Sequence, residues 1–257
     1  MADSGLILGI EVSNPSASAG DAQGPGVALG RLVPGGVDIL GMEPVRASGF
    51  GTKSAGSAGH GGHDDDLMPA IDRLVKRTGV PIRTELARVA VSAGPGGYTS
   101  LRVACAVGKM IAAGANHAGQ PTMCVGVPTS LVVLESVPAE VRSDVVAIAL
   151  ASKAESAWIE CFSNGASIGE GRLMSVSDWA VLQTLGVRTV VADRFFPQTL
   201  RARASHAGIR IIEPVFDAPA CARVGARLPE VAPSGLVPIY PREPDAVTLW
   251  RTRARTP

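Results

Sequence analysis

Residues 89–115 constrain the fold more than any other stretch. Val89, Ala90 and Val91 form a short apolar run of the kind a buried strand shows. Gly94-Pro95-Gly96-Gly97 cannot continue it, because Pro95 has no N–H for a ladder and the glycines admit backbone angles that other residues avoid. Thr99 or Ser100 then suits a helix cap, accepting from the first free N–H groups. The pattern predicts strand, glycine turn and a helix over residues 100–115. Such a turn can hold a phosphate or another chain's backbone at the helix N-terminus. Close packing explains the same residues, and the spacing favours it, since the turn carries neither G-x-G-x-x-G nor G-x-x-x-x-G-K-S/T.

The helix is unusually small and apolar. Leu101, Ala104, Ala106, Val107, Gly108, Ile111, Ala112, Ala113 and Gly114 make up most of it. A glycine inside a helix costs about 1 kcal/mol relative to alanine. Close approach of a second helix would offset that cost; burial within the helix's own domain would do so equally. If the surface meets a partner, Gly108→Arg or Ala112→Arg should abolish binding while the fold survives.

Strands are expected at 6–12, 26–32 and 36–40, the last two joined by Pro34-Gly35-Gly36 as a hairpin. Residues 47–62 are rich in Gly and Ser and read as a loop. His60 and His63 stand there beside Asp64, Asp65 and Asp66. They fit a solvated loop with acidic residues at a helix start better than a metal site, and no metal ligand is nominated. The helix that follows, 67–78, places Leu67, Met68, Ile71, Leu74 and Val75 on one face, with Gly79 closing it. A strand at 121–127 and a helix from Pro128 continue the alternation, which implies an α/β domain. A second set reads as strands at 144–150, 157–162, 188–192 and 209–213, with helices at 177–185, 197–205 and 218–227. Ser177 or Asp178 is the expected cap of the first of these helices. Residues 237–242 are extended, and 245–253 form a terminal helix. The expected division is a first subdomain over 1–125 and a second over 126–236, with 237–257 packing back on the first.

A chain of 257 residues, 46% apolar and 18% charged, can bury a substantial core. A net charge of +1 provides no electrostatic case for direct nucleic-acid binding. Arg242, Arg251, Arg253 and Arg255 form a basic tail that reads as solvated. Cys105, Cys124, Cys161 and Cys221 lack any C-x-x-C spacing, so neither a zinc ribbon nor a redox motif is implied. Cys105, Cys124 and Cys161 lie in apolar contexts that suit reduced thiols and a cytoplasmic location. The start has no basic n-region, and Lys109 interrupts the best apolar run, so neither a signal peptide nor a membrane span is expected.

Several motifs occur in an order that resembles the TsaB (YeaZ) family. Residues 7–13, ILGIEVS, resemble the opening "ILAIDTS", and His63 with Leu67-Met68-Pro69-Ala70-Ile71 resembles "HSE..LLPAI". Ser92 to Arg102, SAGPGGYTSLR, resembles "GRGPGSFTGLR", the most specific motif of the family, and Lys109 falls where its helix has a lysine. Val125-Gly126-Val127-Pro128-Thr129-Ser130-Leu131 resembles "VGVSTLEAL", and residues 237–242, VPIYPR, resemble "P.YLR". The likeness is close over 60–135 and thin over 140–235.

The resemblance implies an actin/Hsp70-like ATPase fold of two subdomains, each a mixed sheet with flanking helices. It also implies a non-catalytic subunit that supports a TsaD-like large subunit in threonylcarbamoyl transfer to tRNA adenosine. A TsaE-like ATPase would join them, and tRNA would be met only indirectly. The pairing surface would use the helices at 67–78 and 100–115, through Leu67, Ile71, Leu74, Leu101, Ala104, Val107, Gly108, Ile111 and Ala112. No catalytic residue is nominated. A symmetric homodimer through the same helices is the alternative association. The alternative activity is a nucleotide-binding or hydrolysing enzyme, holding ATP or ADP at Glu11, Ser13, Gly94, Gly96, Gly97 and Thr99. Against hydrolysis, Glu11 and Val12 stand where the family has Asp and Thr, and residues 149–155, ALASKAE, replace its "D.R..E" segment. A metallopeptidase ranks lowest, because His60 and His63 lack the H-E-x-x-H helix.

Overall fold

The computed structural model describes residues 5–14, 25–45, 66–242 and 250–251. The chain forms two mixed sheets. In the first, β1 (Leu6–Glu11), β2 (Gly26–Val33) and β3 (Gly36–Pro44) are antiparallel neighbours, and β4 (Leu86–Gly94) and β5 (Met123–Pro128) extend the sheet in parallel from β1. α1 (Leu67–Thr78), the short α2 (Ile82–Glu85) and α3 (Tyr98–His117) accompany it. α4 (Thr129–Glu135) and α5 (Ala139–Arg142) lead into the second sheet. There β6 (Val145–Lys153) pairs antiparallel with β7 (Ser156–Ser163), which carries β8 (Ala166–Ser167) and β9 (Arg172–Ser175). On its other side β6 pairs in parallel with β10 (Thr189–Ala192), and β10 with β11 (Arg210–Ile212). α6 (Trp179–Thr184), α7 (Gln198–His206) and α8 (Ala218–Gly225) complete this half. The two halves therefore repeat one topology, an antiparallel hairpin set followed by two parallel additions.

Burial explains why β1 and β4 read as apolar runs instead of alternating. A sheet covered on both faces needs apolar side chains on both. Leu6, Leu8 and Ile10 meet α1 and α3 in one cluster, while Ile7 packs with Ala220, Cys221, Ala222 and Val224 of α8 in another. The closing helices are exchanged between halves. α4 follows the first sheet, yet Val133 and Leu134 pack on Val146, Ile148 and Leu150 of the second. α8 follows the second sheet and packs on the first. Both lie between the sheets, and each half with its borrowed helix makes one lobe.

Two expectations are corrected, at α3 and at the return to the first sheet. α3 starts at Tyr98 with Gly97 as its cap and no side-chain cap, so neither Thr99 nor Ser100 fills that role. Of the two residues expected at the start of α6, Asp178 is its N-cap, and it also closes a capping box with Ser175 over the turn before it. The return to the first sheet begins at Ala218, not at 237, because α8 supplies the second cover that the sheet needs. The exposed β8, the half-exposed β9 and the one-turn α2 and α5 have too little periodicity to be anticipated. His60, His63, Asp64 and Asp65 lie outside the described residues, as does most of the expected terminal helix, of which Trp250 and Arg251 are helical. All four cysteines are buried and free. Among the described residues, no helix is long and apolar enough to cross a membrane.

Candidate functional site

The side chains nominated for a partner point inward, which corrects that expectation. Leu67, Ile71 and Leu74 of α1 and Ala104, Val107 and Ala112 of α3 belong to the core of the first lobe, and Ile111 packs at its edge. Leu101 is fully buried. A Cβ on Gly108 would stand 2.7 Å from Val91 Cγ2 and 3.3 Å from Leu236 Cδ2. The helix is small because it lies close on its own sheet, and that packing offsets the glycine. Its outward face is a different row: Ala106, Met110, Ala113 and Gly114, three and four residues apart, with Met110 59% exposed. α1, over the same sheet face, exposes Met68 and Pro69.

A cleft of about 630 Å³ opens between the lobes. The loops after β1 and β4 form one wall. A Cβ on Gly96 would collide with the Ser13 carbonyl oxygen, so only glycine allows this approach. Gly97 N–H donates to that same oxygen at 2.7 Å. The ends of β6 and β10 form the opposite wall, through Leu150, Lys153 and Asp193. Asn14 Nδ2 donates to Asp193 Oδ2 at 3.3 Å, tying the walls together. Of the nominated phosphate turn, Ser13, Gly96 and Gly97 line the cleft. Gly94 and Thr99 do not: Gly94 is buried against Ile239, and Thr99 is exposed.

Glu11 lies behind Ser13 and is fully buried. Its Oε1 accepts from Ser13 N–H at 2.7 Å, while Oε2 has no hydrogen-bond partner among the described residues. Burial pushes its pKa up, and the charge on Asp217 adds to that push. The Ser13 and Ser92 hydroxyls and the Ser13 N–H oppose it. Ser92 Oγ lies 2.9 Å from Thr129 Oγ1, so a polar seam runs from β1 through β4 to α4. Asp217 caps α8 by accepting from Ala220 N–H at 3.0 Å. These acids brace the fold beneath the cleft. Among the described residues, no group of three or more His, Cys, Asp or Glu could hold a metal ion.

A strap at 236–242 crosses from one lobe to the other. Leu236 is buried in the core of the first lobe, and Ile239 N–H donates to Ala93 O at 2.7 Å. The Tyr240 ring lies 4.9 Å from that of Tyr98, and the Arg102 guanidinium sits 5.3 Å from the Tyr98 centroid. Arg242 then donates to the Ser156 carbonyl at 3.1 Å and to Ser156 Oγ at 3.0 Å, at the start of β7. Arg242→Ala should cost about 1 kcal/mol, the scale of part-exposed hydrogen bonds from a charged donor. It should also speed amide exchange at Ile239. Denaturation and hydrogen-exchange mass spectrometry measure both, and unchanged exchange would mean that Leu236 and Ile239 hold the strap alone.

Sequence reasoning missed Tyr98, Lys153, Phe195, Phe216 and Tyr240 as cleft residues. Tyr98 and Tyr240 do fall inside two of the motifs quoted above, SAGPGGYTSLR and VPIYPR, and that was the available signal.

Residues 59–151 match the family model for TsaD, tRNA N6-adenosine threonylcarbamoyltransferase. No curated protein matches the chain. Among solved structures, an uncharacterized protein with similarity to peptidase YeaZ from Pseudomonas aeruginosa is 14% identical with a TM-score of 0.63, over 93% of this chain and 100% of that one. YeaZ from Pseudomonas aeruginosa is 15% identical with a TM-score of 0.57, over 92% of this chain and 99% of that one. At these identities the likeness shows the fold, two lobes of the actin/Hsp70-like type. The chain thus combines a fold similar to that of the YeaZ structures with a segment, 59–151, that matches the TsaD family.

Proposed function

We propose that this chain acts in tRNA modification as a non-catalytic partner subunit of a TsaD-like enzyme, supporting threonylcarbamoyl transfer to tRNA adenosine. The observation that carries this reading is where the family match falls. It spans 59–151, and so contains α3, which turns Ala106, Met110, Ala113 and Gly114 outward, and α1, which exposes Met68 and Pro69. A TsaE-like ATPase belongs to the same assembly. The net charge of +1 leaves tRNA contact to the large subunit. The exposed Met68 and Met110 suit a second association, a symmetric homodimer over the same face when the large subunit is absent.

Co-expression with the TsaD-like subunit from the same genome tests the reading. Wild type should co-elute with it. Ala106→Arg with Met110→Arg should weaken the pairing about a hundredfold, since a buried unpaired cation at an interface centre costs several kcal/mol. Circular dichroism and Tm should stay unchanged, because both side chains face solvent. Co-elution that survives the double substitution would overturn the surface, and a chain that stays alone at micromolar concentration would overturn the partnership.

A further inference from the structure

Three consecutive residues of the VPIYPR motif, Tyr240, Pro241 and Arg242, line the interlobe cleft. They belong to the strap, and the strap is held unevenly along its length. At one end Leu236 is 1% exposed, seated in the core of the first lobe beside Gly108 of α3 and Gly126 of β5. Beyond it the strap lies on the surface, with Val237 61%, Ile239 39% and Tyr240 37% exposed. There it is held by the Ile239 N–H bond to Ala93 O, by the Tyr240 ring against Tyr98 and by Arg242 on Ser156. Part-exposed contacts of these kinds are individually weak, since water replaces the bonds when they break. The bed beneath is nevertheless shaped for the strap. Gly94 has a φ of +118°, and a Cβ on it would stand 2.5 Å from Ile239 O and 2.9 Å from Leu101 Cδ1, so glycine lets the strap lie on the turn before α3. The far anchor, Ser156, pairs across the β6–β7 turn with Lys153, itself a residue of the opposite cleft wall. The seat is on one lobe and the latch on the other.

We propose that residues 237–242 are a swinging lid on the interlobe cleft, pivoted at Leu236 and latched by Arg242 at Ser156. In the closed state Ile239 is bonded to Ala93 and the two tyrosine rings are in contact. In the open state Arg242 leaves Ser156, the rings part and the Ile239 bond breaks, while Leu236 stays in the core. Opening takes Tyr240, Pro241 and Arg242 out of the cleft wall and widens the way in. Few contacts are lost, and none of them is a buried apolar one, so the open state lies within reach of thermal fluctuation. The Asn14–Asp193 bond keeps the walls tied throughout, and neither lobe moves against the other. The lid works in the chain alone, so it stands or falls independently of the partner-subunit reading.

The two tyrosines of the chain are the two rings of this contact, so fluorotyrosine incorporated in the full chain puts one fluorine probe on the lid and one on its seat. Tyr98→Phe and Tyr240→Phe assign the two fluorine NMR signals. Relaxation dispersion, which reads microsecond-to-millisecond exchange, should find both signals exchanging at one common rate, because the rings part in a single event. Arg242→Ala should raise the open-to-closed ratio about fivefold, the effect of losing part-exposed hydrogen bonds from a charged donor. In the same variant, hydrogen-exchange mass spectrometry should show faster exchange at Ile239 with the amides of Val89, Ala90 and Val91 in β4 unchanged, which separates a swing of the lid from opening of the lobe. Different rates for the two signals, a ratio in Arg242→Ala equal to that of wild type, faster exchange in β4, or rates that change with protein concentration would each overturn the lid.

Discussion

Gly108→Arg is expected to unfold the first lobe, costing about 4 kcal/mol or more by overpacking and by burying a charge with no partner. The cause is geometric. The first atom of any side chain at Gly108 would stand 2.7 Å from Val91 Cγ2 on β4, and Leu236 of the strap closes the other side at 3.3 Å. Nothing there is the loose end of a flexible chain that could swing away. Ala112, fully buried in the same cluster, should behave alike. Ala106→Arg, two residues before Gly108 and on the outward row, should change stability by no more than about 0.5 kcal/mol. Urea denaturation followed by circular dichroism separates these results. A Gly108→Arg protein that stays folded with a wild-type midpoint would return the inner face of α3 to the surface, and the packing described for β4 would be wrong.

The contrast between these two substitutions also explains what could be read from the chain and what could not. α1 was legible at both ends, because Leu67, Ile71 and Leu74 recur at helical spacing among charged residues and Gly79 closes it in a left-handed turn. α3 was legible as a helix but not in direction. Its residues are small and apolar nearly all round, and such a helix carries no stripe to say which side meets the sheet. α8 was legible as an element, but its place was not. Ala218, Ala220 and Ala222 say that the helix is buried, not that it covers the sheet of the other half. The cleft followed the same logic. Gly96 and Gly97 announce a close approach, which the Ser13 carbonyl fulfils. The rings that line it come from residues 98, 195, 216 and 240, separated by tens of residues, and only the fold brings them together.

Glu11 offers the second large effect, and its sign follows from burial. In the unfolded chain its carboxyl loses its proton near 4.5, whereas in the fold it holds the proton to higher pH, because burial penalises the charge and Asp217 adds to the penalty. Below 4.5 both states carry the proton, and Glu11 contributes no pH dependence. Above that value the folded state binds more protons than the unfolded, so stability falls as pH rises, by up to about 1.4 kcal/mol per unit until the folded carboxyl also ionises. Glu11→Gln keeps an oxygen to accept from Ser13 N–H but cannot ionise. Wild type should therefore match Glu11→Gln near pH 4 and fall progressively below it as pH rises toward 8, as read from the difference between their urea-denaturation free energies. Taking the difference removes the acids that titrate alike in both proteins; Asp217, coupled to Glu11, titrates as part of the same effect. A flat difference, or one that favours wild type at high pH, would mean that the Ser13 and Ser92 hydroxyls hold Glu11 as an anion. The polar seam beneath the cleft would then be a built charge site and not a brace.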